Sequence, residues 1–316
     1  MQPQILHVYS HVIWRVILGN NFRSEVVDIF EQYSATLIPV MKKLKAQRPM
    51  MARITASFSS EVRHVNAQLD RATAFFTPIF EQCVQAFEKG SPTGSLENDW
   101  FEELIRTAPA DKRRDYKYLT NVLIGFAFTF VFSPGPSTTQ VVYEFAFRPD
   151  YIDLVLEEAY NVLGERSESW NFTRDSLRRL SLLDSFSNLM KKIHKTQTLP
   201  NGVVLPAGTI FEVVMTAAHL SNSNFQNPAE WNGRRYHELR QQMSSATTGS
   251  NKYEWGSATR DDVNFGYASH MCPGRWAGCS IAKMFLIKLL ARYQIRPEDG
   301  ETERYQDIHS GQYAKT

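Results

Sequence analysis

Cysteine is scarce in this chain. Cys83, Cys272 and Cys279 make an odd number with no Cys-x-x-Cys, which suits neither a disulfide framework nor a common structural zinc site. Reduced thiols in a cytosolic setting are the expectation. An excess of one charge is missing too: 35 Lys and Arg stand against 33 Asp and Glu, a formal +2. No block of like charge is long enough for a nucleic-acid or lipid tail, so no nucleic acid is expected as a partner. The amino terminus lacks a signal-peptide pattern, and the lone glycosylation triplet Asn171-Phe172-Thr173 carries no weight. Long apolar runs are also missing, and no stretch is read as reaching the roughly 20 residues of a bilayer span. The nearest, NVLIGFAFTFVF from Asn121 to Phe132, is expected to be a buried helix that ends or kinks at the following SPGPS.

What the chain does have is apolar residues in helical order. With 316 residues, 43% of them hydrophobic and 12% aromatic, it can bury a sizeable core. Helical recurrence runs through ILHVYSHVIWRVILG, SEVVDIFEQYSATLIPVMKKL and EVRHVNAQLDRATAFFTPIFEQCVQAFEKG. Breaks are expected near Pro39, Pro49, Pro78 and Gly90, and KGSPTGSLENDW reads as a loop. From Thr138 onward, two helices should meet at Arg148-Pro149. TLPNGVVLPAGTIFEVV then carries two turn signals around β-branched residues, a small hairpin or sheet. The polar tract from Asn222 to Asp262 is expected to be mainly irregular surface. Last comes RWAGCSIAKMFLIKLLARYQI, a helix with Ala282, Phe285, Leu289 and Tyr293 on one side and Lys283 and Lys288 free to face water. The expectation is one domain over 1–316, mainly α with a small β region: 1–197 mostly helical, 198–316 a hairpin, a loop and the final helix.

That loop is FGYASHMCPGRWAG, residues 265–278. Cys272 lies just before a helix, where the unpaired N–H groups stabilise a thiolate, and a thiolate is a metal ligand or a nucleophile. A cysteine at such a junction is more often a small buried side chain. Cys83 and Cys279, with nothing polar beside them, are read that way.

The neighbours of Cys272 change its reading. Phe265, His270, Cys272, Pro273, Gly274 and Arg275 resemble the haem-binding loop of the cytochrome P-450 monooxygenases, F-x-x-G-x-x-x-C-x-G, with the H-x-C-P-G-R of fungal members. The order Pro228, Trp231, Arg235, Tyr236 is similar to the family's P-x-x-F-x-x-x-R-F segment. LPNGVVLPAGT looks like its small hairpin, with His219 following, YEFAFRPDYIDLVLEEAYNVL like the end of its long helix, and LLDSFSNLMKK like the start of its E-x-x-R helix. The resemblance implies haem b with Cys272 as axial iron ligand, Phe265 beside the sulfur, His270 near a propionate and Gly274 admitting the porphyrin. It further implies a monooxygenase of a hydrophobic small molecule such as a terpenoid, in fungal secondary metabolism, fed by an NADPH-dependent reductase. The expected location is cytoplasmic or peripheral on the endoplasmic reticulum.

The chain departs from the pattern in several places. Ala268 stands where the pattern has glycine, and Leu189 and Lys192 stand at the Glu and Arg of E-x-x-R. Arg235 is therefore expected to face a vacancy, a costly state for a buried charge. Neither an amino-terminal anchor nor the W-x-x-x-R helix is recognised, so the fold is expected to be an incomplete version of the family's. At the proton-relay positions an ungapped count places Phe132 and Ser133. Thr138 and Thr139 read as ordinary helix-start residues, and no catalytic proton donor is assigned. The alternative function is a truncated, degenerate relative acting as a binding module or as nothing. A zinc site from His270, Cys272 and Cys279 lacks a fourth ligand at any usual spacing.

Overall fold

The computed structural model describes residues 2–90, 100–165, 170–187, 227, 230, 232–243, 252–259, 264–266, 268, 271–298 and 300–301. Helices dominate them, and no strand occurs among the described residues. The chain divides into two compact units, residues 1–136 and 137–316. The expected hairpin, and residues 91–99 of the expected loop KGSPTGSLENDW, lie outside the described residues.

In the first unit the helical spacing of Ile5, Tyr9, Ile13, Trp14 and Ile17 gives helix α1 (Gln2–Leu18) one buried face. It packs with α2 (Glu25–Lys45), α4 (Ser60–Glu88) and α6 (Tyr116–Phe132), while α3 (Pro49–Phe58) and α5 (Trp100–Thr107) are shorter connecting helices. Aromatic rings fill the centre. Trp14 stacks on Phe76 with centroids 5.4 Å apart and meets Phe30 edge-on at 5.6 Å, geometries that rings prefer over a face-to-face sandwich. Pro39 and Pro78 do not break their helices as expected; each lies inside one, in α2 and α4 respectively. A proline removes one backbone bond, and the buried faces of α2 and α4 outweigh that loss. Pro49 opens α3 and Gly90, at φ +63°, follows the end of α4, as the sequence implied.

Helix α6 ends at Phe132, Ser133 caps it, and α7 (Pro134–Phe147) begins at the next residue. The proline-rich stretch therefore interrupts the helix at a single residue, Ser133, which itself keeps right-handed helical dihedrals at φ −88° and ψ −58°. The combined run Tyr116–Phe147 is long and apolar enough by length and composition to cross a membrane, which corrects the reading that no stretch is. The added length comes from α7.

In the second unit α8 (Asp150–Leu163) follows the turn at Arg148-Pro149 as expected. Then come α9 (Arg174–Arg179), α10 (Ser181–Ser187), α11 (Arg235–Met243) and α12 (Arg275–Arg292). Helix α11 lies within the tract expected to be irregular, and Tyr253, Glu254, Trp255 and Ser257 in the same tract are buried. The reason is a local core: Tyr236 of α11 packs on Tyr253, with Leu239 and Met243 beside them.

Candidate functional site

The loop before α12 is held mainly by its own backbone. Cys272 N–H donates to Phe265 O at 2.7 Å, Met271 N–H to Ala268 O at 3.2 Å, and Arg275 Nη1 to Cys272 O at 2.9 Å. Between these closures two of the described residues have positive φ, +82° at Gly266 and +51° at Ala268. Glycine adopts that region freely, whereas an L-residue pays about 1–2 kcal/mol. Ala268 is thus strained at the position where the sequence pattern has glycine. Gly274 caps α12 at φ −86°, a conformation open to any residue, so its lack of a Cβ matters there for space alone.

Cys272 is half-buried and forms no disulfide. Phe265 is also half-buried, and His270 lies outside the described residues. Among the described residues no group of three or more His, Cys, Asp or Glu is placed to hold a metal ion. Among the described residues the loop offers one half-buried cysteine on a backbone-fixed turn. It fits a porphyrin, which supplies four nitrogens to its iron and asks one ligand of the protein.

The other two cysteines are buried. Burial, with Glu102 nearby, pushes the Cys83 thiol up to about 11, so it stays protonated and inert. Cys279 is not without polar neighbours as expected: it lines a small cleft with Arg174, Arg178, Glu254, Ser280 and Lys283.

A charged cluster braces α12 farther along. Lys283 was expected to face water, but it is 5% exposed, forms an ion pair with Asp184 Oδ1 at 2.5 Å, and donates to Leu177 O at 2.8 Å. Asp184, fully buried in α10, takes Arg240 Nη1 of α11 on its other oxygen at 3.0 Å, and Arg240 Nη2 reaches Arg178 O at 3.0 Å. Arg178 pairs with the buried Glu254 at 3.2 Å. Ser185 Oγ accepts Tyr236 N–H at 2.9 Å. The carboxylate of Glu158 accepts Ser181 O–H and the N–H groups of Leu182 and Leu183, which satisfies the start of α10. Burial raises the Glu158 pKa, and these hydrogen bonds oppose the shift. His237 Nδ1 lies 2.7 Å from Ser181 Oγ, and burial, then Arg234 and Arg240, lowers its pKa.

Sequence reading missed Asp184, Lys283 and Arg240. A signal was present for one of them. Lys283 stands three, four and seven positions before Leu286, Ile287 and Leu290, on the buried face of α12, and a lysine on such a face needs a buried partner.

Arg235 has partners among the described residues: its Nη2 donates to Asn227 O at 3.1 Å and to Glu230 O at 2.5 Å. Leu189, Lys192, His219, Pro228 and Trp231 lie outside the described residues. Thr138 and Thr139 are buried inside α7 and do not start it, because α7 begins earlier, at Pro134.

Comparison with known proteins agrees with this geometry. The chain is 26% identical to the cytochrome P450 monooxygenase BOA4 of Botryotinia fuckeliana, over 98% of its own length and 63% of that protein's. It is 29% identical to cytochrome P450 monooxygenase 3 of Gibberella fujikuroi, over 85% of its own length and 56% of the relative's. With cytochrome P450 monooxygenase TRI1 of Fusarium sporotrichioides the identity is 25%, over 95% and 55%. The chain spans little more than half to under two thirds of the length of these relatives. The cytochrome P450 family model matches residues 1–312, and with the Cys272 loop and the mainly helical fold this places the chain in the cytochrome P450 family.

Proposed function

We propose that this chain carries the haem-binding part of a monooxygenase that inserts oxygen into a hydrophobic small molecule, with Cys272 as the axial iron ligand. The observation that carries the reading is the half-buried free thiol on a loop closed by Cys272 N–H to Phe265 O at 2.7 Å and continued directly into α12. Bound haem supplies the iron chemistry of oxygen cleavage, to which a cysteinate adds electron density. The residues of this chain have simpler tasks. Cys272 offers its sulfur from a fixed backbone, Phe265 shields it from water, and Gly274 leaves room at the helix start. His270 is assigned to a propionate. Fungal secondary metabolism, terpenoids included, is the proposed setting, and electrons arrive from NADPH through a separate reductase. Members of the family are soluble or associated with the endoplasmic reticulum, and peripheral association is proposed for this chain. The monooxygenase names of the relatives favour this reading over a degenerate binding module.

The test is the absorption of the reduced, haem-supplied protein under carbon monoxide. A band at about 450 nm is expected from thiolate ligation, absent in Cys272→Ser and retained in Cys279→Ser. If the two variants behave alike, Cys272 is not the ligand.

A further inference from the structure

We infer that the buried ion cluster Asp184–Lys283–Arg240 is the device that sets the register of α12 and so places the Cys272 sulfur; this rests on the reading of Cys272 as iron ligand. Asp184 and Lys283 act here as positioning residues. The argument begins with burial. Asp184 is 0% and Lys283 5% exposed, and a charge so far from water is tolerated only beside a partner of opposite charge. Sliding or rotating α12 by a fraction of a turn would separate Lys283 Nζ from Asp184 Oδ1, now 2.5 Å away, and from Leu177 O at 2.8 Å. Apolar contacts along the same helix, at Leu286, Ile287 and Leu290, also resist a slip, but they are not directional, whereas the ion pair and hydrogen bond of Lys283 are made in one position of the helix.

The far side of the cluster is fixed in turn. Asp184 holds Arg240, whose second nitrogen is bound to Arg178 O, and α10 is tied to α11 by Ser185 and to α8 by Glu158. Lys283 is thus anchored directly to α10 and to the Leu177 carbonyl of α9, and through Asp184 to Arg240 of α11. The near side leads to the sulfur without a flexible joint: Gly278 N–H bonds Gly274 O at 2.9 Å and Arg275 reaches back to Cys272 O. The register fixed at Lys283 is therefore the register of Cys272. Positions 189 and 192, outside the described residues, hold Leu and Lys, so the family's Glu–Arg brace is not available there.

The experiment compares Asp184→Asn, Lys283→Met and Arg240→Gln with Leu290→Ala, which removes apolar packing from the same helix and leaves the cluster intact. Two quantities are read beside the melting temperature. In haem-free protein, exchange of the Cys272 amide, protected by Phe265 O, should quicken about tenfold in Asp184→Asn and Lys283→Met. It should change less in Arg240→Gln, whose side chain is partly exposed, and not at all in Leu290→Ala. In haem-supplied protein, the share of carbon monoxide complex absorbing at about 450 nm should fall in the same order while Leu290→Ala keeps it. Should Asp184→Asn or Lys283→Met fail to fold, Arg240→Gln carries the comparison. If the cluster variants match Leu290→Ala at equal loss of melting temperature, the cluster is ordinary packing and the inference fails. If the unaltered chain binds haem without the thiolate band, the reading of Cys272 fails instead, and the amide result alone then shows whether α12 depends on the cluster.

Discussion

Ala268 is exposed and sits at φ +51°, so its methyl group has little packing to lose and a strained backbone to maintain. Replacing it by glycine removes a left-handed penalty of about 1–2 kcal/mol and adds chain entropy to the unfolded state worth about 0.5–1 kcal/mol. Ala268→Gly is expected to stabilise the second unit by about 1 kcal/mol, seen as a higher melting temperature. A lower one would mean that the methyl group has a packing role. The loop closes with Ala268 in place: Cys272 N–H and Met271 N–H donate to Phe265 O and Ala268 O.

Among the elements, α12 matters most, because it starts beside Cys272 and carries Lys283. Its first turn packs Trp276 on Gly256, where an added Cβ would lie 2.6 Å from the indole ring. Gly256→Ala is therefore expected to cost about 1–3 kcal/mol through a displaced ring. Gly125, in α6, has nothing within 4 Å of a Cβ, so Gly125→Ala should instead stabilise by about 0.5–1 kcal/mol, the helix-interior gain. Thermal melting of the pair separates the two effects, and equal shifts of one sign would contradict the contact between Gly256 and Trp276. Element order and type were legible wherever apolar spacing was regular, as in α1, α4 and α8. Helix α11 was not: RYHELRQQM is polar apart from Tyr236, Leu239 and Met243, and its apolar face is given something to bury by Tyr253 and by α10, whose Ser185 accepts the Tyr236 N–H.

On the scale of the whole molecule, the run Tyr116–Phe147 raises the question of membrane attachment. Within α6 one face, Leu119, Leu123, Ile124, Ala127 and Val131, is buried in the first unit, and a face committed to a protein core is not available to lipid. Carbonate extraction of membranes carrying the chain is expected to release it. Retention in the pellet would identify Tyr116–Phe147 as a span. The sequence by itself determined the helical class, the Cys272 loop and the family, because local periodicity and a contiguous motif need no partner to be read. Only the tertiary structure decided the rest. Lys283 points inward because Asp184 waits there, Arg235 donates to the carbonyls of Asn227 and Glu230, and Pro39 and Pro78 remain inside helices because packing outweighs a lost backbone bond. Each of these outcomes depends on which distant residue lies opposite, a relation between segments that spacing along one chain does not encode.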